Sequence, residues 1–317
     1  MSAISSARRL LLAWFDARSL AGDEGQPRRI DWLRQVPFFA IHAGCLAIFW
    51  VGTSRVAVIA AVVLYAVRMF AITGFYHRYF SHRAFRAGRG VQFFFAVVGA
   101  AAAQRGPLWW ASHHRHHHVH ADEAEDSHSA LRHGLAWSHL GWFMARENFA
   151  TRDKLVKSLS CFPELRFIDR WDSAVPLLLV LALWAAGALA ERFAPGLGTS
   201  GAQLVTWGFC VSTVALYHAT FSINSLAHRF GSRRYATRDA SRNNAWLALA
   251  TFGEGWHNNH HHYPVAARQG FYWWEVDLTY YGLRLLAAFG LIDQLNQVPA
   301  HVRDGALRIQ GDLPRNR

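Results

Sequence analysis

The sequence predicts an all-α integral membrane protein with four transmembrane helices in two hairpins and a cytoplasmic helical cap. Three observations support this fold class. Of the 317 residues, 52% are hydrophobic and only 17% are charged, whereas a soluble domain carries about 25% charged residues. Four apolar runs approach the roughly 20 residues needed to span a bilayer. Most of the 19 histidines lie between and after these runs.

The four expected spans form two consecutive pairs. They lie near residues 37–52, 56–76, 174–190 and 202–223, and the first is slightly short. Only residues 53–55 separate the first pair and residues 191–201 the second, so each pair predicts a helical hairpin. We therefore divide the chain into an N-terminal segment 1–35, a membrane domain 36–264, and a C-terminal cap and tail 265–317.

The distribution of arginine and lysine predicts the orientation in the membrane. The hairpin tips carry only Arg55 and Arg192, whereas residues 77–172 carry thirteen basic residues. Basic residues are retained on the cytoplasmic side, so both termini and the histidine-rich loops are expected there. The apolar runs 91–103 and 245–252 are too short to span and predict interfacial helices. Scarce lysine and abundant alanine suggest a GC-rich bacterial genome, so the expected location of these spans is a bacterial inner membrane.

The net charge of +12 predicts contact with anionic lipid headgroups. Nucleic-acid binding is not expected, because the basic residues do not form a helix face with interleaved aromatic residues. Arg68 is the exception to an apolar second span. A cation there is costly in lipid, so its side chain is expected either to reach the membrane surface or to meet a substrate headgroup.

Four histidine clusters accompany the apolar runs. They are HRYFSH (His77, His82), HRHHH (His114, His117, His118), NSLAH (Asn224, His228) and HNNHH (His257, His260, His261). On an α-helix, the H-x-x-H-H spacing places three imidazoles within an arc of roughly 100°. Two such boxes supply six nitrogens, and the remaining histidines raise the number to nine.

Nine imidazoles predict two metal ions, because a single ion takes about four ligands. Imidazole suits iron, zinc, copper and nickel alike. Zinc has no redox chemistry, whereas a dinuclear nitrogen site with an open position suits the activation of oxygen. We therefore expect two non-haem iron ions, with zinc as an artefactual replacement in zinc-rich preparations.

Five stretches together resemble the membrane fatty acid desaturase family, which includes stearoyl-CoA and acyl-lipid Δ9 desaturases. They are HRYFSH, WWASHHRHHH, SHLGW, NSLAH and GEGWHNNHH. The resemblance implies that the nine boxed histidines bind the metals and that Asn224 holds a metal-linked water. It also implies an O2-dependent enzyme that introduces a cis, Δ9-type double bond into a long-chain saturated acyl-CoA or acyl-lipid. The extra histidines His113, His116 and His262 depart from the family pattern, so other sets of neighbouring histidines also have a spacing suited to metal ligands.

The resemblance further implies a bent tunnel for the acyl chain, with Gln104, Trp110 and Thr220 at the matching positions. Tyr65 and Met69, on the second span, are expected either to close the far end of that tunnel or to serve ordinary helix packing. No cytochrome b5-like module is recognisable in the chain, so a separate electron donor of the ferredoxin, rubredoxin or cytochrome b5 type, with its reductase, is expected.

Carboxylates near the boxes are expected to orient the imidazoles, and Glu254, Asp126 and Asp239 are the candidates. Two other functions stay open at this point. A related di-iron hydroxylase or ketolase would insert oxygen with the same metals. A metal transporter would show irregular histidine spacing and liganding groups within the spans.

Overall fold

The computed structural model describes residues 12, 14–17 and 29–305, and these residues are mostly helical. The main helices are α1 (Val36–Val51), α2 (Arg55–Ser81), α3 (Arg89–Ala100), α4 (Pro107–His120), α5 (Pro163–Arg170), α6 (Ala174–Phe193), α7 (Gly201–Ser225), α8 (Ala245–Ala250), α9 (His257–His262) and α10 (Leu278–Ala288). Two short strands, β1 (Arg86–Ala87) and β2 (Ile292–Asp293), pair antiparallel. The predominantly helical prediction is confirmed; parts of the predicted terminal segments 1–35 and 265–317 lie outside the described residues.

Single helical turns connect these elements. They are Ala130–His133, Trp137–Gly141, Trp142–Met144, Arg146–Asn148, Asp153–Leu155, Pro195–Leu197 and Ala300–Asp304.

Three helices, α2, α6 and α7, are long and apolar enough to cross a bilayer. Helix α6 also exposes large apolar side chains such as Leu178, Leu181 and Trp184, each more than half accessible. A soluble protein rarely leaves so continuous an apolar surface uncovered. Helix α1 has the apolar composition but only 16 residues, so the fourth span stays a prediction. The two short runs expected to lie at the interface form α3 and α8.

Local capping explains where the long helices begin. Gly52 has a φ of 67° and ends α1, a backbone conformation that glycine adopts without steric cost. Ser54 then caps α2, its Oγ accepting from the N–H of Ala57 at 3.1 Å. Ser200 caps α7 in the same way, accepting from the N–H of Gln203 at 3.2 Å. Each cap satisfies an N–H that the helix itself leaves unpaired.

The described residues form two compact units. The first contains residues 12, 14–17, 29–72, 93–113 and 140–218, and the second contains residues 73–92, 114–139 and 219–305. The first holds most of the apolar helical surface. The second holds all nine boxed histidines.

Arg68 lies in the interior of the first unit. Its guanidinium donates to Thr213 Oγ1 at 2.7 Å, to the carbonyl of Ala101 at 3.1 Å and to Ser212 Oγ. The residue is 1% exposed. The expectation that its side chain reaches the membrane surface is therefore wrong, because hydroxyl and carbonyl partners within the helix bundle replace water as the acceptors of its protons.

Helices α6 and α7 approach each other closely at two glycines in the first unit. A Cβ added at Gly187 would lie 2.4 Å from the backbone nitrogen of Gly201 and 2.5 Å from its Cα. Small residues allow helix backbones in membranes to pack at this distance. The pair Gly187 and Gly201 therefore sets how closely the two helices pack.

Gly187→Ala should destabilise the protein, because a methyl group would meet immovable backbone atoms of the neighbouring helix. We expect a loss of about 1–3 kcal/mol, typical of overpacking, measured as a lower thermal midpoint in detergent. Gly196→Ala is the matched control, since a Cβ there meets nothing within 4 Å. Equal midpoints for the two variants would contradict the close approach.

Candidate metal centre

The first histidine box lies in a stretch of wider helix. Residues Ala71–Ser81, at the end of α2, adopt π-helical geometry, and His82 follows immediately. An α-helix would direct His77 and His82 roughly 140° apart. The i→i+5 hydrogen bonding of a π-helix returns residues five apart to the same side. The five-residue spacing in HRYFSH is thus compatible with a π-helix, which was not predicted from the sequence.

Helix α4 carries the second box. Its first turn is held in the first unit, where Asp169 Oδ1 accepts from the N–H of Trp109 at 2.8 Å. His113 turns away toward the carbonyl of Ala150, with its Nε2 3.1 Å from that oxygen, and packs on the Trp109 ring. The side chain of His113 therefore has other partners than that of its neighbour His114, which is one of the nine boxed histidines.

The two asparagines inside HNNHH hold helix α9 in place. Asn258 and Asn259 are fully buried. The side-chain oxygen of Asn258 accepts from the N–H groups of Arg234 and Tyr235, each at 2.8 Å. Asn243 in turn accepts from the N–H groups of Asn258 and Asn259 at 3.0 and 3.1 Å. Buried amides of this kind are costly to leave unpaired, so the fourth box sits in a rigid frame.

All nine boxed histidines come together in the second unit as two groups. The ligand nitrogens within each group lie within 4.8 Å of one another. The five-histidine group contains His77, His82, His114, His118 and His260. The four-histidine group contains His117, His228, His257 and His261. The structure thus divides nine imidazoles between two metal-sized positions.

Within both groups the Nε2 atoms face one another. The distances are 2.7 Å between His82 and His114, 2.8 Å between His118 and His260, 3.0 Å between His77 and His260, and 3.0 Å between His228 and His257. Nitrogens this close without an intervening group suit a shared cation, which accepts several lone pairs at once.

Carboxylates lie behind four of the imidazoles, on the Nδ1 side. His117 Nδ1 is 3.0 Å from Asp126, His228 Nδ1 is 3.0 Å from Asp122, and His261 Nδ1 is 2.9 Å from Asp239. His77 Nδ1 contacts Glu254. An ionised carboxylate only accepts hydrogen bonds, so each Nδ1 carries the proton and each Nε2 presents a lone pair to the metal position.

One direct observation supports a metal ion between these nitrogens. The Nε2 of His261 is buried and has no hydrogen-bond partner among the described residues. Because Asp239 holds the proton of this imidazole on Nδ1, the buried Nε2 is a bare lone pair. A buried acceptor left unpaired costs about 1–3 kcal/mol. Coordination of a cation removes that cost.

Burial and mutual repulsion keep most of these imidazoles neutral. Burial, followed by repulsion from neighbouring histidines, lowers the pKa of His82, His114, His118, His257 and His260 well below the usual value. Burial lowers the pKa of His261 to about 4, although Asp239 opposes the shift. A neutral imidazole is the form that binds metal. At these six imidazoles the proton therefore does not compete with a metal at neutral pH, whereas, despite burial, Asp126 raises the pKa of His117.

The supporting carboxylates stay ionised. Burial raises the pKa of Asp126, but the neighbouring His117 and His128 lower it far more. Hydrogen bonds from His228 and His261 similarly hold the pKa of Asp122 and of Asp239 far below the usual range. These carboxylates would offset part of the charge of two divalent ions, while the fourth, Glu254, also pairs with the buried Arg78 at 3.1 Å.

The two groups differ in their surroundings. Three of the four imidazoles in the smaller group are backed by a carboxylate, whereas in the larger group only His77 is. In the larger group the side-chain nitrogen of Gln269 lies 3.2 Å from His77 Nδ1 and 3.4 Å from His260 Nδ1, and it donates to Glu254 Oε2 at 3.2 Å, so it adds no negative charge. The group with fewer ligands thus has more negative charge behind it.

Three of the carboxylates that contact the imidazoles were predicted from the sequence, and two other supporting residues were not. Asp126, Asp239 and Glu254 contact histidines as expected. Asp122 and Gln269 were not anticipated. Asp122 lies 106 positions from His228 in the chain, so no local spacing connects them. The sequence signal for Asp122 was its position, shortly after the second box and four residues before Asp126.

The roles expected for the residues of the acyl tunnel, and for Asn224 at a metal-linked water, stay predictions. Tyr65, Met69, Gln104 and Trp110 belong to the first unit, and Thr220 belongs to the second. Met69 and Gln104 are buried, and Tyr65, Trp110 and Thr220 are half-buried. Asn224 lies on α7, four residues before His228, and its carbonyl accepts from Ser138 Oγ at 2.9 Å.

His261→Ala should lower the metal content of the purified protein, because the smaller group would keep only three imidazoles and would bind its ion more weakly. His262→Ala is a matched control on the same helix, since His262 stacks on Tyr235 instead, with ring centroids 4.0 Å apart. The measurement is the metal content of purified protein by mass spectrometry. Equal metal content in the two variants would contradict the division of the histidines.

Comparisons with known proteins agree with this geometry. A family model described as fatty acid desaturase matches residues 53–292. The sn-1 stearoyl-lipid 9-desaturase of Anabaena variabilis is 35% identical over 83% of this chain and 93% of its own length. The sn-2 palmitoyl-lipid 9-desaturase of Nostoc sp. (strain 36) is 30% identical over 89% and 95%. The icosanoyl-CoA 5-desaturase of Limnanthes douglasii is 34% identical over 68% and 58%. The chain belongs to the fatty acid desaturase family.

Proposed function

We propose that this desaturase introduces a cis double bond at the Δ9 position of a long-chain saturated acyl group, using O2, and that the acyl group is carried by a membrane lipid. The observation that carries the proposal is the division of nine imidazoles, all buried or half-buried, into two facing groups. The relatives named as 9-desaturases support the Δ9 position. They act on acyl-lipids, which favours a lipid-linked substrate over acyl-CoA.

We propose that the two groups hold two iron ions. Removal of two hydrogens from an unactivated alkyl chain is beyond side-chain chemistry, and an iron pair would supply the oxygen activation it requires. The donors are all imidazole, which binds iron and zinc alike. Zinc incorporated during expression would therefore occupy the same groups and give an inactive protein.

The chain's own residues bind, orient and shield the metals. The nine histidines are the proposed ligands, with Asn224 acting through a water at the smaller group. Asp122, Asp126, Asp239 and Glu254 hold the Nδ1 protons, so that each Nε2 is free to coordinate. His77, His228, His257 and His260 are at most 3% exposed, so bulk water has little access to the positions between them.

We propose that Gln104, Trp110 and Thr220 line the acyl tunnel and that Tyr65 and Met69 close its far end. The double-bond position then follows from how far the chain enters, because neighbouring CH2 groups are nearly identical chemically and only positioning distinguishes them. The burial of Met69 is compatible with a closed end.

We propose that α1, α2, α6 and α7 are four spans in two hairpins, in a bacterial inner membrane, with both termini and the metal centre on the cytoplasmic side. The apolar composition of α1 supports a fourth span. The excess of basic residues outside the hairpin tips supports the orientation. The organisation into segments 1–35, 36–264 and 265–317 is part of this proposal.

A separate electron donor of the ferredoxin, rubredoxin or cytochrome b5 type is proposed to dock on the segment 229–242. This segment carries five arginines, of which Arg229, Arg233 and Arg238 are exposed. It also contains Asp239, whose carboxylate holds His261. An acidic donor attracted to these arginines would approach the residues that support the smaller histidine group.

The proposal is tested by expression in a host that lacks its own desaturase. We expect acyl groups that have lost two hydrogens, with the double bond at Δ9, and the change should appear first in the membrane-lipid pool. The measurement is mass spectrometry with double-bond mapping of lipids and acyl-CoA separately.

His260→Ala is the inactive control, because His260 faces both His77 and His118, and its product should fall to the background of the host. A product that gained oxygen would instead identify a hydroxylase or ketolase. First appearance in acyl-CoA would overturn the lipid-linked substrate.

A further inference from the structure

A second cluster of metal-ligating side chains lies at the end of helix α4, outside both histidine groups. His120, Glu123 and Glu125 place one ligand atom each within 4.8 Å of one another. His120 Nδ1 is 3.4 Å from the Glu123 carboxylate. None of these residues belongs to the five-histidine or the four-histidine group, and both glutamates are exposed.

A fourth donor stands beside this cluster. The ring of His116 lies 4.7 Å from the ring of His120, one helical turn earlier. Histidines four residues apart on a helix face the same side and commonly bind one metal ion together. The cluster itself is one imidazole and two carboxylates, and His116 adds a second imidazole next to it on the same face of the helix.

The backbone also favours a cation at this place. Helix α4 has 14 residues and ends at His120, and the C-terminal carbonyls of a helix carry partial negative charge. The following turn folds back, with the N–H of Glu123 donating to the carbonyl of His120 at 2.8 Å. Asp122 stands in the left-handed region at a φ of 62°, a conformation that aspartate tolerates better than most residues.

The turn that follows α4 has an inner and an outer face. On the inner face, Asp122 holds His228 and Asp126 holds His117. On the outer face, Glu123 and Glu125 point to solvent and meet His120. One short segment thus supports the buried histidines and presents an open donor set to water.

We infer that His120, Glu123 and Glu125, with His116 beside them on the same helix face, form a solvent-facing site for a third divalent transition-metal ion. Imidazole with carboxylate suits iron(II), zinc, cobalt and nickel, whereas calcium and magnesium prefer oxygen donors alone. Because the site is open, it binds metal more weakly than the buried groups and exchanges it with solution. This inference does not depend on the proposed reaction.

The test is equilibrium dialysis of the purified full-length protein against micromolar Co²⁺, after purification without a metal-affinity column. We expect the summed iron and cobalt content to exceed that of the two buried groups by one equivalent per chain. Glu123→Gln/Glu125→Gln should lose that equivalent and keep the other two. His120→Gln tests the nitrogen donor and should lose the same equivalent.

Asp153→Asn/Glu191→Gln is the matched control, because it removes two exposed carboxylates from other parts of the chain, and it should bind as much metal as the unmodified protein. A content of two metals in the unmodified protein, or an unchanged content in Glu123→Gln/Glu125→Gln, would overturn the inference. Either result would leave desaturase activity as a separate question, because the product assay does not depend on the third site.

Discussion

The centre depends on one interaction, the hydrogen bond from a histidine Nδ1 to a buried carboxylate. His117, His228 and His261 each make it, at 3.0, 3.0 and 2.9 Å. It fixes the tautomer, so that the Nε2 lone pair points inward, and it fixes the rotation of the ring. Without it, a crowded set of neutral imidazoles would satisfy one another by hydrogen bonding and present no consistent donor set.

The unequal placement of these carboxylates distinguishes the two metal positions. The larger group has five imidazoles and the carboxylate of Glu254, whereas the smaller group has four imidazoles and three carboxylates. Negative charge behind an imidazole strengthens it as a donor. The smaller group thus compensates for a missing ligand electrostatically, and the two bound ions would be inequivalent.

The boxes themselves were predictable from the sequence, and their supporting residues were predictable only in part. In HNNHH the helical period alone selects His257, His260 and His261 over His262. In the second box His113, His116 and His117 have the same spacing as His114, His117 and His118, so the resemblance to the family was needed to select the latter three. The π-helix around His77 was not predicted, because the helical argument was applied only to the H-x-x-H-H boxes and no geometry was assigned to HRYFSH. Asp122 and Gln269 were missed because their contacts with His228 and His77 join distant parts of the chain. The interior position of Arg68 was missed for the same reason, because its hydrogen-bond partners Ala101 and Thr213 lie in two distant segments of the chain.

The most direct test of the centre is anomalous scattering at the iron edge from crystals of the iron-loaded protein. We expect two anomalous peaks, one enclosed by His77, His82, His114, His118 and His260, and the other by His117, His228, His257 and His261. A single peak, or two peaks whose neighbours are drawn from both groups, would contradict the division of nine imidazoles into two metal positions.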